Sequence, residues 1–121
     1  MAGDKTQTYD FVCFTDLIYE FNSSVSKEIE KKIKRRLKYH KLGDYKQEKI
    51  DYIRQLKNDL SAEIHSGKGS KYFSKSKSEY AELSDFNVDQ MTADYRKKYN
   101  KVNEAELRAM INFAIYSYHL R

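Results

Sequence analysis

Three features of this 121-residue chain predict an all-α fold, a single-domain bundle of four to five helices. Proline is absent and glycine occurs only four times, so the strongest helix breakers are nearly missing. Apolar residues recur at three- and four-residue spacings through most of the chain. Asp44–Gln47, Asn87–Gln90 and Asn103–Glu106 each place a capping residue three positions before a Gln or Glu, the pattern of a capped helix start. One domain spanning residues 1–121 is long enough to bury roughly two thirds of its unfolded surface.

The first helix falls in TYDFVCFTDLIYEF, where Phe11, Phe14, Leu17, Ile18 and Phe21 share a helical face. YDFVCF alone also fits a short strand. Residues 1–7 ahead of it are expected to be a flexible N-terminus. Asn22, Ser23 and Ser24 interrupt the pattern, and Ser24 or Ser26 is placed to cap a second helix over about 26–42. There Val25, Ile29, Ile33 and Leu37 lie four apart and form one narrow apolar stripe. Glu28 and Glu30 precede the cations, in the order the helix dipole favours, and Gly43 is a natural stop.

A third helix opens at Asp44–Gln47, turns Ile50, Ile53, Leu56, Leu60 and Ile64 inward, and ends near His65-Ser66-Gly67. SGKGSKYFSKSKS, 66–78, has four lysines, five serines, two glycines and no acid, and reads as a flexible basic loop. The fourth helix follows Asn87, with Val88, Met91, Tyr95, Tyr99 and Val102 along one side. The fifth follows Asn103. Its face of Leu107, Met110, Ile111, Ala114, Ile115 and Tyr118 is broad enough for the centre of a bundle.

Composition narrows the function. No apolar run approaches the ~20 residues that span a bilayer, and MAGDKTQTYD lacks the pattern of a signal peptide, so no membrane partner and a cytoplasmic, intracellular location are expected. Cys13 is the single cysteine, cannot form an internal disulfide, and reads as a core thiol. His40, His65 and His119 are scattered, so no metal site, cofactor or catalytic residue is predicted. HSGKGS lacks the glycine spacing of a phosphate loop. The net charge of +5 points to an anionic partner.

KKIKRRLKYHK, 31–41, concentrates that charge: seven Lys or Arg in eleven positions, with no acid. A solvated charged face fits this run. So does a ridge that grips phosphates, and the missing acids leave nothing to neutralise it locally. LKYHK and SKYFSK also interleave aromatics with lysines, as in proteins that hold single strands by stacking. YRKKYNK does the same, although the spacing of Tyr95 and Tyr99 also fits a core face. The candidate nucleic-acid contacts are therefore Lys31, Lys32, Lys34, Arg35, Arg36, Lys38, Tyr39 and Lys41, with Lys68, Lys71, Tyr72 and Lys75 from the loop.

The sign then reverses, because residues 79–94 hold five acids and no base. Glu79, Glu82, Asp85 and Asp89 form a candidate protein-docking set, since carboxylates can occupy a partner's phosphate-binding groove. The leading expectation is a non-catalytic protein that binds RNA or DNA backbone, alone, as an oligomer, or as a subunit of a nucleoprotein complex. The alternative is an inhibitor or adaptor of phage or mobile-element type that binds a nucleic-acid-processing enzyme.

Two resemblances to known families accompany this reading. Arg35-Arg36-Leu37-Lys38-Tyr39-His40 resembles the Arg-x4-His signature of the HEPN ribonucleases, which implies paired motifs in a helical dimer. Arg36 stands where that family usually has a polar, uncharged residue. IRQLKNDLSAEIHSGKG and RAMINFAIYSYHL are similar to the later helices of small helical subunits of type III CRISPR effector complexes, which implies contact with a duplex backbone. His65-Ser66-Gly67-Lys68 replaces that family's Ala-Gly-Arg element.

Overall fold

The computed structural model describes residues 8–20, 25–75 and 79–120. The expected flexible N-terminus (1–7), the Asn22–Ser24 break and the end of the basic loop (76–78) lie outside them. The described residues form an all-α helical bundle of five helices without a strand: α1 (Tyr9–Leu17), α2 (Ser26–Tyr39), α3 (Gln47–His65), α4 (Val88–Lys98) and α5 (Glu104–Ile115). Short 3-10 turns occupy Gly67–Gly69 and Leu83–Asp85, and α5 runs on into a π-helical turn, Tyr116–Leu120. The chain divides into two compact units, 1–57 and 58–121, with the boundary inside α3.

In the first unit α1 packs against α2. YDFVCF is helical, and the Thr8 hydroxyl caps it by accepting from the Phe11 amide at 3.2 Å. Its buried residues are Val12, Cys13, Phe14, Asp16, Leu17 and Ile18, which wrap most of the helix circumference rather than one stripe. From α2 the stripe Ile29, Ile33 and Leu37 is buried as its spacing predicts, and from α3 Ile50, Ile53 and Leu56 are buried. Each such aliphatic side chain contributes about 1.5–3 kcal/mol on leaving water. Burial pushes the Cys13 thiol up to about 12, so it stays neutral and packs as an apolar group.

Arg54 gathers three carboxylates in this unit. It donates to both oxygens of Glu20 (2.7 and 2.9 Å), to Asp51 (3.0 Å) and to Glu30 (3.3 Å). Burial alone would raise the Glu20 pKa, but the hydrogen bonds and charge of Arg54 outweigh it and hold the carboxyl below its usual range. The start of α3 departs from the expected Asp44–Gln47 capping box. There the Tyr9 hydroxyl accepts from the Lys46 amide (2.8 Å) and donates to the Asp44 carbonyl (2.6 Å).

The second helix ends at Tyr39, three residues before the expected Leu42. The Leu42 amide reaches back to the Leu37 carbonyl (2.9 Å) and the Lys41 amide to the Lys38 carbonyl (3.2 Å), the paired bonds of a Schellman cap. That cap needs a left-handed residue at its centre, and Lys41 occupies it with φ 55°. Gly43, the stop expected from sequence, lies beyond it with φ 114°. A side chain in the left-handed region costs about 1 kcal/mol relative to glycine. Lys41→Gly is therefore expected to raise unfolding stability by about 1 kcal/mol. Urea unfolding measures this, and an unchanged or lowered midpoint would contradict the cap.

In the second unit α4 packs against α5. Asn87 and Asn103 cap these helices as expected, accepting from the Gln90 amide (3.1 Å) and the Glu106 amide (2.8 Å). Leu107, Met110, Ile111, Ala114 and Ile115 are fully buried, joined by Leu60, Ile64, Met91, Tyr99 and Val102. The described part of the basic loop is tied down. An isolated antiparallel bridge joins Phe73 to Phe86, with Ser74 donating to the Asp85 carbonyl (2.7 Å) and Asn87 to that of Tyr72 (2.9 Å).

Candidate nucleic-acid interface

Helical geometry divides the cations of α2 between 31 and 38 into two sets. Successive residues advance about 100° around the axis, so Lys31, Lys34, Arg35 and Lys38, spaced i, i+3, i+4, i+7, share an arc of about 100°. That arc lies opposite the Ile29–Ile33–Leu37 seam, and all four side chains are exposed. Lys32 and Arg36 fall between the arc and the seam. They are the two that meet a carboxylate.

That carboxylate is Asp16 of α1, which is 1% exposed. Its Oδ1 accepts from the Arg36 guanidinium at 2.6 Å and lies 3.8 Å from Lys32 Nζ. Arg36 also donates to the Thr15 hydroxyl at 3.3 Å. A buried carboxylate is tolerated only when a cation compensates it, and Arg36 does so here. Lys32 also sits over the Tyr19 ring, 5.4 Å from its centroid. Both residues, read from sequence as phosphate contacts, are structural partners of Asp16.

The outward set differs. Among the described residues no carboxylate lies within 4.0 Å of Lys31, Lys34, Arg35, Lys38 or Lys41. Lys34 is steadied over the Tyr45 ring, 4.9 Å from its centroid, and keeps its charge in solvent. From Lys31 to Lys38 the row is about 10 Å long, comparable to three nucleotide steps along one strand. Tyr39 follows the row, 79% exposed, with the half-buried His40 ring edge-on at 4.9 Å. Arg35 and His40, the HEPN-like pair, are thus an exposed mid-helix residue and the C-cap of the same helix.

In the second unit the loop candidates separate similarly. Lys68 and Lys75 are exposed. Tyr72 is only 6% exposed and donates its hydroxyl to Asp94 at 2.7 Å, so its ring offers no face to a base. Lys71 is exposed but lies over that ring and 3.7 Å from Asp94. Burial and the neighbouring Asp94 both push the Tyr72 hydroxyl pKa up, which keeps it a donor.

The acidic candidates divide as well. Asp85 is 1% exposed, which removes it from any docking surface. Its Oδ2 accepts from the Glu82 amide (3.0 Å) and meets His119 Nε2 at 2.8 Å, beside the Phe73 and Phe86 rings. Asp89 is exposed but paired with Arg108 at 2.5 Å. Glu79 and Glu82 remain exposed, next to Tyr80 and Leu83, which are 76% and 40% exposed.

Two buried charged residues among those described escaped the sequence reading: Asp16 and Lys57. Lys57 is 5% exposed, its Nζ reaches the Glu20 carbonyl at 3.3 Å, and burial lowers its pKa. Asp16 had a legible signal, because it sits in FVCFTDLI with apolar residues on every side of the helix. Among the described residues no group of three or more His, Cys, Asp or Glu is placed to hold a metal, and no helix is long and apolar enough to cross a membrane. No family model, curated protein or solved structure matches the chain.

Proposed function

We propose that this is a non-catalytic cytoplasmic protein that binds nucleic-acid backbone through the outward face of α2. The observation that carries the reading is the i, i+3, i+4, i+7 row of Lys31, Lys34, Arg35 and Lys38, exposed opposite the buried seam. Like charges held side by side on a helix repel one another, and each i,i+4 pair costs a few tenths of a kcal/mol. A phosphate strand relieves that repulsion and releases its own counterions, which drives association at low salt. Gripping a backbone needs no proton transfer, so the protein is expected to leave the strand intact.

A second reading is favoured by the segment 79–84, where exposed Glu79 and Glu82 alternate with exposed Tyr80 and Leu83. Acids beside an aromatic and a leucine are suited to a basic groove on a nucleic-acid-processing protein. One experiment separates the two: capture of partners on the tagged protein from cells, with and without nuclease treatment. The backbone-binding reading expects nucleic acid in the capture and loss of the co-captured proteins after nuclease. Protein partners that survive nuclease, with no nucleic acid recovered, would favour docking through 79–84 and overturn the first reading.

A further inference from the structure

We infer that the strand bound by α2 is single, with one unpaired base stacked on Tyr39 while the basic row holds the adjoining phosphates. This rests on the backbone-binding reading and names its ligand class. Tyr39 has the greatest exposure of the large hydrophobic side chains described, at 79%, and it lies in the last turn of α2. Packing does not require it there, since the Ile29–Ile33–Leu37 seam lies elsewhere on the helix. The His40 ring stands perpendicular to it, at 4.9 Å and 87°, and so covers at most one face of the phenol.

Arg35 lies one turn before Tyr39, which puts their Cβ atoms about 5–6 Å apart on the surface. A base seated on the phenol ring therefore has a guanidinium beside it and the charges of Lys31, Lys34 and Lys38 along its backbone. Aromatic faces and guanidinium planes are the groups on which unpaired bases stack. In a duplex the bases are already stacked and paired, and an exposed ring on the convex side of a helix gains nothing from them. Stacking is tolerant of sequence, so no base preference is expected. RNA and DNA strands share this chemistry.

The test is fluorescence anisotropy at fixed low salt, using the full chain with labelled 12-nucleotide oligo-U RNA, oligo-dT DNA and a 12-base-pair duplex. The proposal expects both single strands to bind more tightly than the duplex. Tyr39→Ala weakens single-strand binding by about 10-fold or more and leaves duplex binding unchanged, while Tyr39→Phe, which keeps the ring, retains affinity. Thermal melting confirms that the variants fold. Duplex binding equal to single-strand binding, or an Ala variant equal to wild type, would overturn the stacking inference and leave the backbone reading standing. No binding of any probe by the wild type would overturn both.

Discussion

Replacing Lys31, Arg35 and Lys38 together by glutamate is expected to weaken oligonucleotide binding by about 100-fold or more. Folding should be little changed. All three side chains are exposed, lie opposite the buried seam and have no carboxylate partner among the described residues, so their reversal removes no internal contact. It replaces three attractions to phosphate with three repulsions. A control variant with Lys46, Lys49 and Lys97 changed to glutamate carries the same net charge, and these three, all outside α2, are also exposed. The control should keep most of the affinity, apart from a general electrostatic loss shared by any reduction in charge. Equal losses in the two variants would show that overall charge, rather than the α2 row, governs binding.

The second large effect falls on the neighbouring residue and has the opposite signature. Arg36→Met is expected to destabilise the protein by about 3 kcal/mol, because it leaves Asp16 buried at 1% exposure without its 2.6 Å partner. Lys32, at 3.8 Å, restores only part of the compensation. Asp16→Leu combined with Arg36→Met removes the stranded charge and should recover most of the loss, since well-packed apolar pairs often replace buried ion pairs at little cost. Urea unfolding of the single and double variants measures both. A single variant as stable as wild type would mean that Asp16 is compensated in some other way. Adjacent positions, 35 and 36, thus report on binding and on folding separately.

The fold was largely written in spacing. Ile29, Ile33 and Leu37 announced their burial by recurring every four residues, and the inward row of α3 from Ile50 to Ile64 did so by recurring every three or four. Local capping chemistry placed the starts of α4 and α5 at Asn87 and Asn103. The ends were harder to read. Val102 lies beyond α4, which stops at Lys98, and the end of α2 rests on a left-handed Lys41 that no propensity favours. Three-residue spacing also marks possible capping boxes where the real contact is distant in sequence, as with Tyr9 at the start of α3.

The candidate site was legible only as a run. Composition identified the basic stretch, but it could not say which cations point outward, because that depends on what lies across the helix. Periodicity around the Ile29–Leu37 seam separates Lys31, Lys34, Arg35 and Lys38 from Lys32 and Arg36. The pairing of Arg36 with Asp16 is a contact across twenty residues of sequence. Tyr72 and Asp85 were misread for the same reason. Each sits in a polar stretch, yet Tyr72 is buried against Asp94 and Asp85 against His119. The bridge between Phe73 and Phe86 turns that stretch inward, and it depends on pairing two segments that local sequence does not connect.

The most direct test of the central claim, that the four outward cations of α2 grip a phosphate backbone, is the salt dependence of binding. For wild type bound to a single strand, four neutralised phosphates predict a slope of log Kobs against log salt of about −3. Arg35→Gln should make that slope shallower by about 0.7, the share of one contact. Arg36→Gln, assayed under conditions where it remains folded, should leave the slope as in wild type. A slope near zero, or one that changes with Arg36 and not with Arg35, would contradict the assignment.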